Sequence, residues 1–325
     1  MSENYYYAVA RTAEIETRLL DKSKIEQLIS APDALTALKM LSGTAYGEFT
    51  DRINNPAEFD KILNEQTKWL YQYIDEVCPQ KEISELYLLQ YDVFNLKVLF
   101  REKLLNREQP ELYSTLGTVS LEELRSILIE DDYTKLMPEI AAAVKKIRES
   151  DGKSPQIIDN ILDNSQFSAQ LRLAKKSGSR FIENMIKTNI DLINIRDYLR
   201  TKNGQKAAFA SVFIKGGNLS ADFYYDTFID GQPGLKEKLL STDYTPVVKG
   251  VEEFEESGNL MLLEKLCDEY INYYVKSKNT ATFGPEKLIG YITAKNNEIS
   301  TLRMIFIGKV NYIAVKIIRQ RLRDI

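Results

Sequence analysis

Three acidic residues, each followed a few positions later by a cation, recur along this chain with a long and regular beat. Asp92-Val93-Phe94-Asn95-Leu96-Lys97 is answered by Asp191-Leu192-Ile193-Asn194-Ile195-Arg196, and again by Glu298-Ile299-Ser300-Thr301-Leu302-Arg303, with spacings of 99 and 107 residues. The chemistry open to such residues is charge pairing. On a helical wheel Lys97, Arg196 and Arg303 fall inside the apolar face, about 40° from Val93, Leu192 and Ile299. A cation there either snorkels along its own stem or meets a carboxylate on a neighbouring helix, because an unpaired buried charge costs several kcal/mol. The acid of its own motif lies about 140° away round the helix, so pairing within one helix is poor.

Other routes to chemistry are closed or weak. The chain has no histidine, which removes the side chain that most readily moves protons near neutral pH and most often binds transition metals. The two cysteines, Cys78 and Cys267, have no cysteine neighbours at metal spacing and read as buried thiols rather than as a disulfide or zinc site. Gly308-Lys309 lacks the following Ser/Thr and the preceding glycine of a phosphate loop, and Lys215-Gly216-Gly217 lacks its spacing. Acidic runs such as Asp131-Asp132 and Glu255-Glu256 read as solvated faces. No catalytic residue, cofactor or metal ligand is expected, and the protein is expected not to be an enzyme.

The elements that must carry the repeated motif are helices. Glycines number 15 and prolines nine, and alternating strand patterns are scarce. Ser120 with Glu123 makes a capping-box pattern, Ser154-Pro155 places a cap before a first-turn proline, and Gly284-Pro285 opens the last long helix. An all-α fold follows. The motif helices are predicted over about 82–106, 180–201 and 285–307, and they share an apolar stripe. Its members are Ile83, Leu86, Val93, Leu96 and Phe100 in the first helix. Ile182, Met185, Leu192, Ile195 and Leu199 answer them in the second, and Ile289, Ile292, Ile299, Leu302 and Phe306 in the third. Gly117-Thr118-Val119-Ser120 recurs as Gly217-Asn218-Leu219-Ser220 after 100 residues. A loop glycine before a capped helix therefore divides the chain into three helical repeat units, 1–116, 117–216 and 217–325. A period this long exceeds that of a solenoid and suggests one body with approximate threefold symmetry.

Hydrophobic content of 44% and charged content of 28% are ordinary for a soluble globular chain, and a net charge of −4 gives nucleic acid no basic patch to bind. No stretch has the length and apolarity of a transmembrane segment and the N-terminus lacks a signal-peptide pattern, so a cytoplasmic protein is expected. Lys309, Lys316, Arg319, Arg321 and Arg323 gather near the C-terminus, either to complement a helix dipole or to dock an acidic partner.

The last 40 residues resemble a known signature. Phe283-Gly284-Pro285-Glu286-Lys287-Leu288-Ile289-Gly290-Tyr291-Ile292, then Lys295, Glu298-Ile299, Leu302-Arg303, Gly308-Lys309 and Ile318-Arg319-Gln320-Arg321-Leu322, look like the C-terminal part of the C subunit of the archaeal/vacuolar-type ATPases, counterpart of the eukaryotic d subunit. Further marks are Arg18-Leu19-Leu20, Thr44-Ala45-Tyr46-Gly47, Tyr91-Asp92, Asn95-Leu96-Lys97, and Ile158-Asp159 with Leu162-Asp163 and Phe167. Thr301 departs from the family, which more often has Asn there.

The resemblance implies a non-catalytic, all-helical funnel of three similar units at the cytoplasmic face of the cell membrane. Its partners would be the membrane rotor ring and the central shaft, built of the D and F subunits, and its work the coupling of rotation to proton or sodium transport, with no small-molecule substrate or transmembrane segment of its own. The competing expectation is a helical adaptor that binds proteins in a concave face, for which a period of 20–50 residues would be usual.

Overall fold

The computed structural model describes residues 5–50, 52–53, 55–149, 154–201, 205–279 and 283–322. Among them the regular secondary structure is entirely helical. The chain forms two compact units, one made of residues 1–79 with 272–325 and the other of residues 80–271.

The first unit opens with α1 (Tyr6–Glu16), α2 (Lys22–Ser30), α3 (Ala34–Met40), the single turn α4 (Gly47–Thr50) and the long α5 (Phe59–Val77). The second holds α6 (Lys81–Leu105), α7 (Leu121–Glu130), α8 (Pro138–Arg148), α9 (Pro155–Ser177), α10 (Arg180–Thr201), α11 (Gln205–Val212), α12 (Ala221–Tyr225), α13 (Leu235–Leu239) and α14 (Val248–Ser257). Helix α15 (Met261–Lys278) carries the chain back, and α16 (Glu286–Val310) and α17 (Val315–Arg321) complete the first unit. No described helix is long and apolar enough to cross a membrane.

The starts and stops follow local chemistry. Ser120 and Glu123 form the reciprocal capping box at α7, and Ser154 accepts from the Ile157 amide ahead of Pro155 in the first turn of α9. Helix α9 stops where Gly178 turns left-handed at φ 71°. The three motif helices are α6, α10 and α16, within a few residues of their predicted spans. All fifteen residues of the shared stripe are buried, because a helix of 22 to 25 residues holds its place by the apolar face it packs rather than by propensity.

Each motif helix supplies the later part of its stripe to a different apolar cluster. Val93, Leu96 and Phe100 join Leu124, Ile127, Ile140, Val144 and Leu162 from α7, α8 and α9. Leu192, Ile195 and Leu199 join Phe209, Tyr224, Leu239, Val251 and Leu263. Ile299, Leu302 and Phe306 join Leu20, Leu28, Leu38, Tyr46, Phe59 and Ile62, so the last long helix shares its core with the beginning of the chain. Of the two thiols, Cys267 is buried while Cys78 is half-buried. Burial pushes the Cys267 thiol up to about 12.

Candidate functional site

The repeated acids are buried, and each clamps the amide of a loop that opens a capped helix. In α6, Asp92 Oδ1 accepts from the backbone N–H of Thr118 (2.9 Å) and of Val119 (3.1 Å), and Oδ2 accepts from the Thr118 hydroxyl. One helical turn on, the Asn95 amide brackets Ser114, donating to its carbonyl at 3.0 Å and accepting from its N–H at 2.9 Å. In α10 the arrangement recurs. Asp191 accepts from Asn218 N–H (2.8 Å) and Leu219 N–H (3.0 Å), and Asn194 brackets Ile214 at 2.8 and 2.9 Å. The Gly-x-x-Ser loops thus recur because they are seats for a carboxylate. A Cβ on Gly117, which sits at φ +146°, would lie 2.3 Å from Asp92 Oδ1, and one on Gly217 would lie 2.0 Å from Asp191 Oδ1.

The third acid does the same work on a distant part of the chain. Glu298 Oε2 accepts from Leu20 N–H, and Oε1 accepts from the Tyr46 hydroxyl (2.7 Å) and from Lys295 Nζ (2.6 Å). Val119, Leu219 and Leu20 stand in equivalent places, since the next residue in each case is an N-cap: Ser120 for α7, Ser220 for α12 and Asp21 for α2. Thr301, at the asparagine position, has no amide with which to bracket a backbone.

Two tyrosines complete the second and third junctions. Tyr244 donates to Asp191 Oδ2 at 2.5 Å, as Tyr46 does to Glu298. Each is held by a threonine two residues earlier. The Thr44 hydroxyl donates to Leu41 O and accepts from Tyr46 N–H, and that of Thr242 donates to Leu239 O and accepts from Tyr244 N–H. Sequence reasoning gave no role to Tyr46, Tyr244 or Lys295. The signal was present in the pair Thr44-Ala45-Tyr46 and Thr242-Asp243-Tyr244. Tyr133 in the first junction stays outside and bonds Asp131.

Electrostatics separates the three. Burial pushes the Asp92 carboxyl up to about 6 against the pull of its Thr118 and Val119 donors, and it raises Asp191 against the donors from Tyr244, Leu219 and Asn218. The third junction carries a charge pair in which both side chains are 2% exposed, with Lys295 Nζ also 4.2 Å from the Tyr46 ring centroid. Burial lowers the Lys295 ammonium, while Glu298 pulls it back up. With their oxygens occupied by backbone and side-chain donors, these acids fix loops.

The motif cations divide. Lys97 reaches Asp163 on α9 at 2.6 Å and Arg303 reaches Asp60 on α5 at 3.0 Å, so both meet a carboxylate on a neighbouring helix. Arg196 does not: it forms no ion pair among the described residues, and its buried Nε has no hydrogen-bond partner there. The expectation of a paired cation in every motif fails at Arg196, whose charge acts on half-buried Asp197 and buried Cys267 only through space.

The C-terminal cations divide as well. Lys309 turns inward and donates to Ile29 O (2.9 Å) and Ala31 O (2.5 Å), completing the C-terminus of α2 in place of docking a partner. Arg319 pairs with Glu26 at 2.9 Å, Lys316 is exposed, Arg321 ends α17, and Arg323 lies outside the described residues.

An all-helical scaffold whose buried acids lock loops to long helices is the class of protein this architecture defines. The chain belongs to the ATP synthase (C/AC39) subunit family, which it matches over residues 8–321. It is 28% identical to the C subunit of the V-type sodium ATPase of Enterococcus hirae, covering 95% of both chains. It is 24% identical to the C subunit of the A-type ATP synthase of Methanocaldococcus jannaschii, over 98% of this chain and 86% of that one. With the corresponding protein of Thermococcus kodakarensis the identity is 22%, over 92% and 85%.

Proposed function

We propose that this chain is a non-catalytic central-stalk subunit of a V/A-type rotary ATPase. It sits at the cytoplasmic face of the membrane and couples a rotating shaft, made of the D and F subunits, to the membrane rotor ring, and so to proton or sodium transport. The observation that carries the reading is the family match along 8–321, joined to the recurrence of the acid junction on α6, α10 and α16. A part that transmits torque must resist shear between its helices. A carboxylate that grips two backbone amides in a buried setting does this better than apolar contact alone, because hydrogen bonds have direction and apolar packing has little.

The three repeat units, 1–116, 117–216 and 217–325, form in this reading a funnel of approximate threefold symmetry around the shaft end. The junctions are its framework, and of the C-terminal cations Lys316 and Arg319, exposed on α17, are those that would face a partner. A lasting junction with the shaft buries on the order of 2,000 Å² or more.

The test is reconstitution of the whole complex in vesicles with and without this chain. The expected result is that ATP hydrolysis persists without it while ATP-driven ion transport is lost. Transport at the full rate in its absence overturns the proposal.

A further inference from the structure

In the first unit α1 and α5 pack on α16, and the packing leaves a hollow of about 140 Å³ beside the Glu298 junction. Ile15, Leu19, Phe49 and Trp69 give it apolar walls, and Gln66, Tyr291 and Lys295 give it polar ones. Ile15 stands five residues before Leu20, as Ser114 and Ile214 stand before Val119 and Leu219. Those two are bracketed by asparagine amides, whereas Thr301 offers none, so the hollow opens beside the junction built without a bracket.

The polar walls hold hydrogen-bonding capacity in reserve. Tyr291 is 2% exposed, and its hydroxyl has no hydrogen-bond partner among the described residues. Gln66 is buried as well and gives one N–H to Ala45 O at 2.6 Å, which leaves its amide oxygen unused among those residues. Lys295, 1% exposed, spends one of its three N–H groups on Glu298 Oε1 and sets its ammonium over the Tyr46 ring. A buried polar group without a partner carries a cost that a ligand removes. Tyr291 supplies a donor and Gln66 an acceptor, a pair that suits a single hydroxyl group.

Charge does not favour an anion. Lys295 is matched by Glu298, and at the rim Arg18 is matched by Glu14 and Glu48 by Arg52. The volume is close to the roughly 150 Å³ of an engineered apolar cavity that takes benzene, so the body that fits is one six-membered ring.

We infer that this hollow is a binding site for a small neutral hydroxyl compound built on one apolar ring, whose O–H accepts from Tyr291 and donates to Gln66. Such a ligand touches α1, α5 and α16 at once, so its binding strengthens the closure between the beginning and the end of the chain. The inference stands apart from the place proposed for the chain in a rotary complex.

Cyclohexanol is the probe, since it has the ring and the hydroxyl and is optically silent. Trp69, the single tryptophan, lines the hollow and reports its filling. The full chain titrated with cyclohexanol is expected to shift Trp69 emission along a saturable curve with a dissociation constant of about 1 mM, the scale for a ligand of roughly seven non-hydrogen atoms. Tyr291→Phe, which keeps the ring and removes the donor, is expected to bind about tenfold more weakly. Ala45→Phe plugs the hollow from an exposed position and is expected to abolish the shift, with circular dichroism checking that the helices persist. Cyclohexanecarboxylate is expected to bind about tenfold more weakly than the alcohol, because it brings an unmatched charge.

Wild-type emission that does not move at ten times the expected constant leaves ordered water as the only occupant and overturns the inference. A shift that persists in Ala45→Phe places the alcohol elsewhere and overturns it too. Tyr291→Phe affinity within twofold of wild type removes the hydroxyl seat, and a carboxylate that binds more tightly than the alcohol removes the neutral class of ligand.

Discussion

Asp191 and Glu298 fill the same position in two junctions and are supported in different ways. Asp191 grips a loop 27 residues downstream, aided by the Asn194 bracket on the same helix. Glu298 grips a loop 278 residues upstream with no such amide. It adds one methylene of reach and a buried ammonium from Lys295, and both junctions add a tyrosine hydroxyl. The tenfold difference in sequence separation raises loop-closure entropy by only about 2 kcal/mol on the logarithmic rule. What the third junction must supply is selectivity, because it joins the two ends of a chain. A buried ion pair is poor evidence of net stability but tolerates few alternative partners, and this pair fixes the register of Leu20 and Tyr46 on α16.

The largest test of the contrast removes the acids one at a time. Glu298→Ala leaves Lys295 buried and uncompensated and is expected to cost about 3–5 kcal/mol. Asp191→Ala orphans two backbone amides and a hydroxyl and is expected to cost about 2–3 kcal/mol. Trp69 is the single tryptophan and lies on α5 of the first unit, so its fluorescence in urea reports on the Glu298 junction. Hydrogen exchange of the α12 amides reports on that of Asp191. Lys295→Met combined with Glu298→Gln should cost less than Glu298→Ala alone. Equal losses for the two alanine variants would erase the distinction.

A second test uses pH on the junction that has neither tyrosine nor lysine. Burial raises Asp92 from 3.8 to about 6 in the folded state, so the folded chain binds a proton that the unfolded chain does not bind between those values. The contribution is fully present below about 3.8 and is lost as pH rises through about 6. Wild type should therefore gain up to about 3 kcal/mol over Asp92→Asn as pH falls from 7 to 4, read from exchange of the α7 amides. A pH-independent difference between the two would mean that Asp92 is not desolvated as its burial implies.

How much of this was legible in the sequence depended on range. The stripe from Ile83 to Phe306 was legible because amphipathic periodicity is local, and so were the caps at Ser120 and Ser154. The partner of Glu298 was not, since a helical wheel gives the direction of a side chain and says nothing of which segment arrives there. Arg196 and Lys309 show the same limit. The wheel placed Arg196 on the apolar face, as it did Lys97, but it forms no ion pair among the described residues, and Lys309 read as a cation that complements a helix dipole or docks a partner because the carbonyls it meets, at the C-terminal end of α2, are remote in sequence.

The glycine seats offer a more modest perturbation. Gly217→Ala sets a methyl 2.0 Å from Asp191 Oδ1, so the carboxylate must withdraw from the amides of Asn218 and Leu219, at an expected cost of about 2 kcal/mol. The third junction offers a contrast, for its acid meets Leu20 N–H from the end of a longer side chain and its loop, Arg18-Leu19-Leu20-Asp21, contains no glycine. Leu19→Ala, which keeps a Cβ where one already exists, should therefore leave exchange at Leu20 within about threefold of wild type. Rapid exchange at Leu20 in that variant would show that the third seat depends on its side chains after all.

The smallest effects belong to the tyrosines, and they rank the junctions. Tyr244 and Tyr46 each direct a hydroxyl to a buried carboxylate oxygen, and both phenols are raised by burial and by the neighbouring acid. Phenylalanine keeps the ring and its packing, so the substitution isolates the hydrogen bond. About 1–2 kcal/mol is expected at each site, around the lower end of the range for a bond to a charged group. Tyr46→Phe should cost the less, because Lys295 still holds Oε1 of Glu298 when the phenol is gone, whereas Asp191 Oδ2 is left with Asn218, a neutral donor. Tyr133→Phe is the control, since its hydroxyl meets exposed Asp131, and it should stay within about 0.5 kcal/mol of wild type. A Tyr46 loss larger than that of Tyr244 would mean that the phenol, and not the ammonium, anchors Glu298.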